Sequence, residues 1–135
     1  MPLGINQAFG LYGAKLKNKR WSVAARAKDG SIVISCWQHL FKPGLVYADR
    51  LSRWQGNVLG NGELRALLEE GYRDQTPVRL VMAVPKDKAD LIGVWDASKV
   101  AKEFFVRRDR VGRITEFDGD GFKIEFTPTA AQTVP

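Results

Sequence analysis

Cations set beside aromatics are the first residues here that could do chemistry. Lys15, Lys17, Lys19 and Arg20 run directly into Trp21, and Arg50 and Arg53 lead into a second indole at Trp54, followed by Gln55. Arg107, Arg108 and Arg110 form a third cluster, and Trp37 closes the strand-like run that follows the first. Ammonium and guanidinium groups neutralise phosphates, and an indole next to a guanidinium offers a flat face on which a base stacks. These positions are the candidate nucleic-acid-binding residues. Each tryptophan also has a plainer use as core, because it buries a large apolar area and needs one polar partner.

Other chemistries are thinner. Asp118, Asp120 and Glu125, with Lys123 between the last two, are the residue types of a metal-dependent nuclease, which needs two or three carboxylates around a divalent cation. The same Asp-Gly-Asp-Gly stretch is first of all a turn. With one histidine, His39, and one cysteine, Cys36, neither a histidine pair nor zinc-ligand spacing can be built, and the calcium-loop pattern is missing. Gly-x-Ser-x-Gly and the phosphate-loop motif are also missing, so no catalytic residue, metal or cofactor is expected. The glycines of residues 56–62 precede a helical pattern and could cradle one phosphate through backbone amides. Cys36 cannot form an internal disulfide and lies in an apolar run, which reads as a buried small side chain in a reducing compartment.

The net charge is +6, and its placement says more than its size. Residues 1–60 hold nine cations against two acids, whereas residues 61–90 hold five against six and residues 91–135 seven against seven. Concentration of the excess in the first 60 residues is what an anion-binding face requires. The N-terminus has no basic segment ahead of an apolar one, and no apolar run approaches the roughly 18 residues of a membrane span. A cytoplasmic protein with no membrane partner is the expectation.

The elements that must position these residues follow from periodicity and turn chemistry. Residues 20–27 and 31–37 read as two strands joined at Lys28-Asp29-Gly30-Ser31, an Asp-Gly hairpin signature. Residues 38–62 are rich in loop signals, with a short strand or helical turn at 45–51. Asn61 reads as an N-cap, and Leu64, Leu67, Leu68 and Tyr72 fall on one face of an amphipathic helix over about 62–74. Residues 78–84 are apolar enough for a central strand, and 91–95 for a short one before a brief helix near 96–102. Phe104, Phe105 and Val106 return to the core. A second hairpin joins 113–117 to 122–127, with Phe122, Ile124 and Phe126 inward. The sum is one domain over 1–135 with a loose tail from about 128. Its class is α+β, an antiparallel or mixed sheet of about five to seven strands with one main helix, for which a partly open β-barrel is one arrangement.

The stretch from Phe9 to Arg26, Phe-Gly-Leu-Tyr-Gly-Ala-Lys-Leu-Lys-Asn-Lys-Arg-Trp-Ser-Val-Ala-Ala-Arg, followed by Ile-Ser-Cys-Trp-Gln at 34–38, resembles the opening of domains that accompany HNH endonucleases in bacterial restriction systems. The resemblance covers residues 9–37. It implies a DNA-recognition domain, with the β-barrel architecture of modified-base readers, working beside a nuclease partner or nuclease domain. The chain departs from the nuclease itself, having no second histidine and no HNH pattern.

The leading expectation is therefore a non-catalytic nucleic-acid-binding domain, with DNA favoured over RNA, that reads a modified or flipped base. Two alternatives stand beside it. One is a small metal-dependent nuclease, and the other is a phage-encoded or immunity-type interaction factor whose basic face meets an acidic protein.

Overall fold

The computed structural model describes residues 3–18, 22–54, 57–86 and 101–129. The expected strand at 91–95 and the brief helix after it lie outside the described residues, as do Lys19, Arg20, Trp21, Gln55 and the side chain of Trp54.

The first hairpin forms as the turn chemistry dictates. Strand β1 (Ala24–Arg26) pairs antiparallel with β2 (Ile32–Trp37). Between them Gly30 takes φ 91°, where a side chain would be strained, and the Asp29 carboxylate accepts hydrogen bonds from the Ser31 amide and hydroxyl. The loop-rich stretch that follows holds a 3-10 turn (Gln38–Leu40), two short strands, β3 (Phe41–Lys42) and β4 (Val46–Arg50), and then a second 3-10 turn, Leu51–Trp54.

The main helix, α2 (Val58–Asp74), starts four residues earlier than the glycines imply. Its N-cap is Asn57, whose side-chain oxygen accepts from the Gly60 amide. Asn61, the expected cap, instead donates to the Leu51 carbonyl at 2.7 Å and ties the helix to the 3-10 turn. The face also differs. Leu64, Leu68 and Gly71 are buried, whereas Tyr72 is 41% exposed. Gly71 takes the place expected of Tyr72 because the helix approaches the sheet closely there: a Cβ at Gly71 would lie 2.7 Å from Ile114 Cδ1 and 2.8 Å from Ile32 Cδ1.

After α2 the chain returns as β5 (Val78–Pro85), parallel to β2 from Ile32↔Val78 through Trp37↔Ala83. β6 (Lys102–Val106) pairs with the second half of β5, while β7 (Arg110–Phe117) meets its start at Val78↔Gly112. β6 and β7 thus share one edge of β5, interrupted by Arg107, Arg108 and Asp109. β8 (Gly121–Pro128) closes the second hairpin with β7 and pairs on its other side with β4. The path β1-β2-β5-β7-β8-β4-β3 is mixed and does not close into a barrel. With β6, which joins β5 off that path, the sheet has eight strands among the described residues where the periodicity counts five to seven, the two-residue β3 being the least visible in the sequence. At the far end of β8 Pro128 is paired with Arg110, and Thr129 is buried with its amide donating to the Asp109 carbonyl; the rest of the expected loose tail, 130–135, lies outside the described residues.

The two faces of the central pair are covered by different pieces of chain. Ile32 points toward α2, so its partner Val78 does too, and Val33 with its partner Arg79 points the other way. On that second face lies the N-terminal segment, because the Arg79 guanidinium sits over the Tyr12 ring. The segment runs from a bridge at Leu3↔Phe104 on the outer edge of β6 to one at Ala14↔Ala27 beyond β1. Between the bridges, α1 (Ile5–Gly10) buries Ala8 and Phe9 completely. Double coverage explains why β2 is buried at five of its six positions and reads as an apolar run.

The tightest approach in the sheet is at Gly112, where a Cβ would lie 2.7 Å and 2.8 Å from two ring carbons of Phe126 and 2.9 Å from Ile124. Phe126 and Ile124 are both buried, so neither can move aside. Gly112→Ala is expected to destabilise the fold by about 1–3 kcal/mol, as overpacked cores do, measured as a lowered urea midpoint with an unchanged m-value.

Candidate functional site

Three strand ends and the start of α2 meet at one end of the molecule. β2 finishes there at Trp37, β4 finishes at Arg50, Val23 leads into β1, and Asn57 caps the helix. Together with Tyr47, Asp49, Leu64 and Phe122 these residues line a small, partly open cavity of about 40 Å³. Ligand pockets begin near roughly 300 Å³, so this space does not admit a base.

Its wall carries a buried polar chain. Tyr47 is 2% exposed; its hydroxyl accepts from the Trp37 amide at 3.2 Å and lies 3.3 Å from Asp49 Oδ2, to which it donates. The Asp49 side chain is 4% exposed and pairs with Arg53 Nε at 2.6 Å, while its Oδ1 also accepts from the Arg50 amide. The fold supplies this arrangement by alternation along β4, which turns Tyr47 and Asp49 inward and leaves Arg50 in water. Burial pushes the Tyr47 phenol well above its ordinary value, and the Asp49 charge pushes the same way. Cys36, fully enclosed, has its thiol raised by burial first and by Asp49 second. It is a buried small side chain, as its apolar surroundings in the sequence imply.

The expected site residues divide by what the fold does to them. Lys15 and Lys17 are exposed, alternating with buried Ala14 and Leu16 along the outside of β1. The segment carrying them leads to the cavity end, since the Ser22 amide donates to Asn18 just ahead of Val23. Lys15, Lys17 and Arg50 make no ion pair among the described residues. Arg53, by contrast, is held by Asp49. Trp37 is corrected from stacking platform to core: the residue is 6% exposed, with its ring close to His39 and beneath the Lys102 ammonium at 5.7 Å. A strand covered on both faces has no outward side for an indole.

The third basic cluster sits elsewhere. Arg50 lies opposite Gly121 and Arg110 opposite Pro128, at the two ends of β8. Seven residues at about 3.3 Å each separate them by roughly 23 Å along the strand. Arg107 and Arg110 both pair with Asp109, at 3.1 Å and 3.6 Å, and among the described residues Arg108 alone of the three has no carboxylate partner. The single basic face imagined from the sequence is two separate patches.

The alternative chemistries fare as follows. Asp118 Oδ1 accepts from the amides of Asp120 and Gly121, which lowers its pKa, and Asp120 accepts from the Ser52 amide and hydroxyl. Lys123 pairs with Glu116. Among the described residues no three His, Cys, Asp or Glu side chains gather as a metal would need. The glycine-rich phosphate cradle is also corrected, since Gly60 is buried inside the first turn of α2 with its amide on Asn57. Among the described residues, no helix is long and apolar enough to cross a membrane.

Sequence reading missed Asp49 and Arg79. The signal for the first was an acid in a region with only one other acid, flanked by Arg50 and Arg53. The signal for the second was a lone arginine inside the apolar run of β5.

The raised Cys36 and Tyr47 groups set a sign for alkaline stability. The unfolded chain releases their protons from about 9.0 and 10.0 upward, whereas the folded chain retains them, so stability is complete below those values and falls as pH rises. Urea midpoints are expected to drop between about pH 9 and 11, and to drop less in Cys36→Ala and in Tyr47→Phe, each compared with its own neutral-pH midpoint.

No family model, curated protein or solved structure matches this chain.

Proposed function

We propose that this chain is a non-catalytic nucleic-acid-binding domain, with DNA the favoured target, whose contact surface lies at the cavity end of the sheet. The observation that carries the reading is the sorting of charge there. Lys15, Lys17 and Arg50 are exposed with no carboxylate partner among the described residues, while Arg53, though also exposed, is paired with the buried Asp49. A cation already paired has less to offer a phosphate, and an unpaired exposed one releases a counterion when it binds. Lys19, Arg20 and Trp21 continue the Lys15–Lys17 segment and join the proposed surface by their place in the chain.

Each of these cations would act on the phosphate backbone, where such contacts fix position and orientation without reading sequence. The α2 N-terminus at the same end adds its positive dipole to the field. Neither the small cavity nor Trp37 serves a flipped base, so a stacking role, if this surface uses one, falls to Trp21 or Trp54. A nuclease partner or nuclease domain supplying cleavage follows from the resemblance of residues 9–37 and belongs to the same proposal.

The test is fluorescence anisotropy of labelled duplex and single-stranded DNA across a salt series. Replacing Lys15, Lys17 and Arg50 together with alanine is expected to weaken binding and to reduce the slope of log K against log salt by about 0.9 for each lost duplex contact. Circular dichroism serves as the check that the variant still folds. Binding that keeps its affinity and slope in the folded variant would rule this surface out.

A further inference from the structure

The opposite end of the sheet carries a second arrangement that the proposed interface does not use. Arg79 lies on β5 with its guanidinium over the Tyr12 ring, 5.1 Å from the centroid. One of its nitrogens donates to the Arg108 carbonyl at 3.2 Å, which fixes the group in place. Among the described residues its buried Nε has no hydrogen-bond partner and no carboxylate lies within ion-pair distance. Tyr12 is anchored in turn, its hydroxyl donating to the Leu80 carbonyl at 2.7 Å. These residues, with Leu11, Asp29 and Arg108, line a cleft of about 190 Å³.

Cations outnumber acids around this cleft among the described residues. Asp109 pairs with Arg107 and Arg110, and the exposed Arg108 at the rim has no ion pair among the described residues. Asp29 is the one acid in the lining, and its Oδ1 is held by the Ser31 amide at 2.9 Å and hydroxyl at 2.6 Å, inside its own hairpin turn. Lys28, next to it in that turn, is exposed beside Gly13. Asp29 lies near enough for Arg79 to act on its charge, but with Arg108 and Lys28 beside it the cleft keeps an excess of positive charge that an oxyanion would balance. Two guanidiniums converging on a space below the roughly 300 Å³ of ordinary ligand pockets fit a small tetrahedral anion, which arginine binds in a forked geometry.

We propose that the cleft between Tyr12, Arg79 and Arg108 is a phosphate-binding site. The phosphate is either a free phosphorylated small molecule or a backbone phosphate of a nucleic acid. The site does not rest on the nucleic-acid reading of the cavity end, from which it is separated by the length of β8.

The arginine Nε–Hε NMR resonances of the full chain report on it directly. Inorganic phosphate, titrated against sodium chloride at matched ionic strength, is expected to shift the Arg79 resonance saturably. Arg108→Gln changes an exposed side chain that makes no hydrogen bond or ion pair among the described residues, and it should weaken phosphate binding about tenfold, the worth of one charge-assisted hydrogen bond. Arg65→Gln, an exposed cation on α2, should leave it unchanged. A shift that chloride reproduces, or phosphate affinity equal in Arg108→Gln and the parent chain, would overturn the site. A short single-stranded oligonucleotide without a terminal phosphate separates the two sources. If it moves the same Arg79 resonance the phosphate is a backbone one, and if only inorganic phosphate does, the ligand is a small molecule. Loss of DNA affinity on changing Lys15, Lys17 and Arg50, with the Arg79 shift intact, would leave this site standing by itself.

Discussion

The parallel pairing of β2 with β5 is the contact on which the rest of the structure depends. It joins residues more than forty positions apart in sequence, from Ile32↔Val78 to Trp37↔Ala83. A parallel pair cannot be closed by a tight turn, so the chain between must travel back, and here that return holds β3, β4 and α2. The helix is thereby laid on one face of the pair, and the N-terminal segment covers the other. Ile32, Val33, Val78 and Val81 are all fully buried as a result. Such central burial is where most of the hydrophobic stabilisation of a small domain arises.

That central pair also decides where charge can go. With both faces covered, a cation on β2 or β5 must leave at a strand end or at the edge of the covering segment. Arg79 is the one arginine that begins within β5, and it escapes only as far as Tyr12 and the Arg107–Asp109 interruption. At the other end, alternation along β4 forces Asp49 inward, where a buried carboxylate is tolerable only with partners. Arg53, one turn further on, supplies the counter-charge with Nε at 2.6 Å, and the Tyr47 hydroxyl supplies a hydrogen bond. Arg53 is 45% exposed, so the pair is partly screened and its main effect is to hold the 3-10 turn against the end of the sheet. Two differently built basic regions result, one of loose exposed side chains and one around a fixed guanidinium.

Short-range signals were read well. Asp29-Gly30 and Asp118-Gly119-Asp120-Gly121 gave turns because positive-φ glycine and a carboxylate reaching the next amides are local properties. The alternation Phe122, Ile124, Phe126 predicted an inward face for the same reason, with period two built into the backbone. Misreadings arose where a distant partner overrode local preference. Gly60 and Gly62 lower helix propensity, yet α2 begins before them because Asn57 caps it and Asn61 fastens it to Leu51. Gly71 displaced Tyr72 from the buried face because Ile32 and Ile114 come too close for any side chain there.

The sequence alone settled the α+β class, the two hairpins, the main helix, the buried cysteine and the concentration of positive charge in the first 60 residues. All of these are written in neighbouring residues or in simple counts. Tertiary structure alone decided that Trp37 is core, that Asp49 takes Arg53, that Arg108 is left without a carboxylate while its neighbours share one, and that the basic clusters fall at opposite ends of β8. The physical reason is one of range. Propensity, turn geometry and periodicity act over a few residues, whereas burial of an indole or pairing of a charge depends on which distant strand arrives beside it.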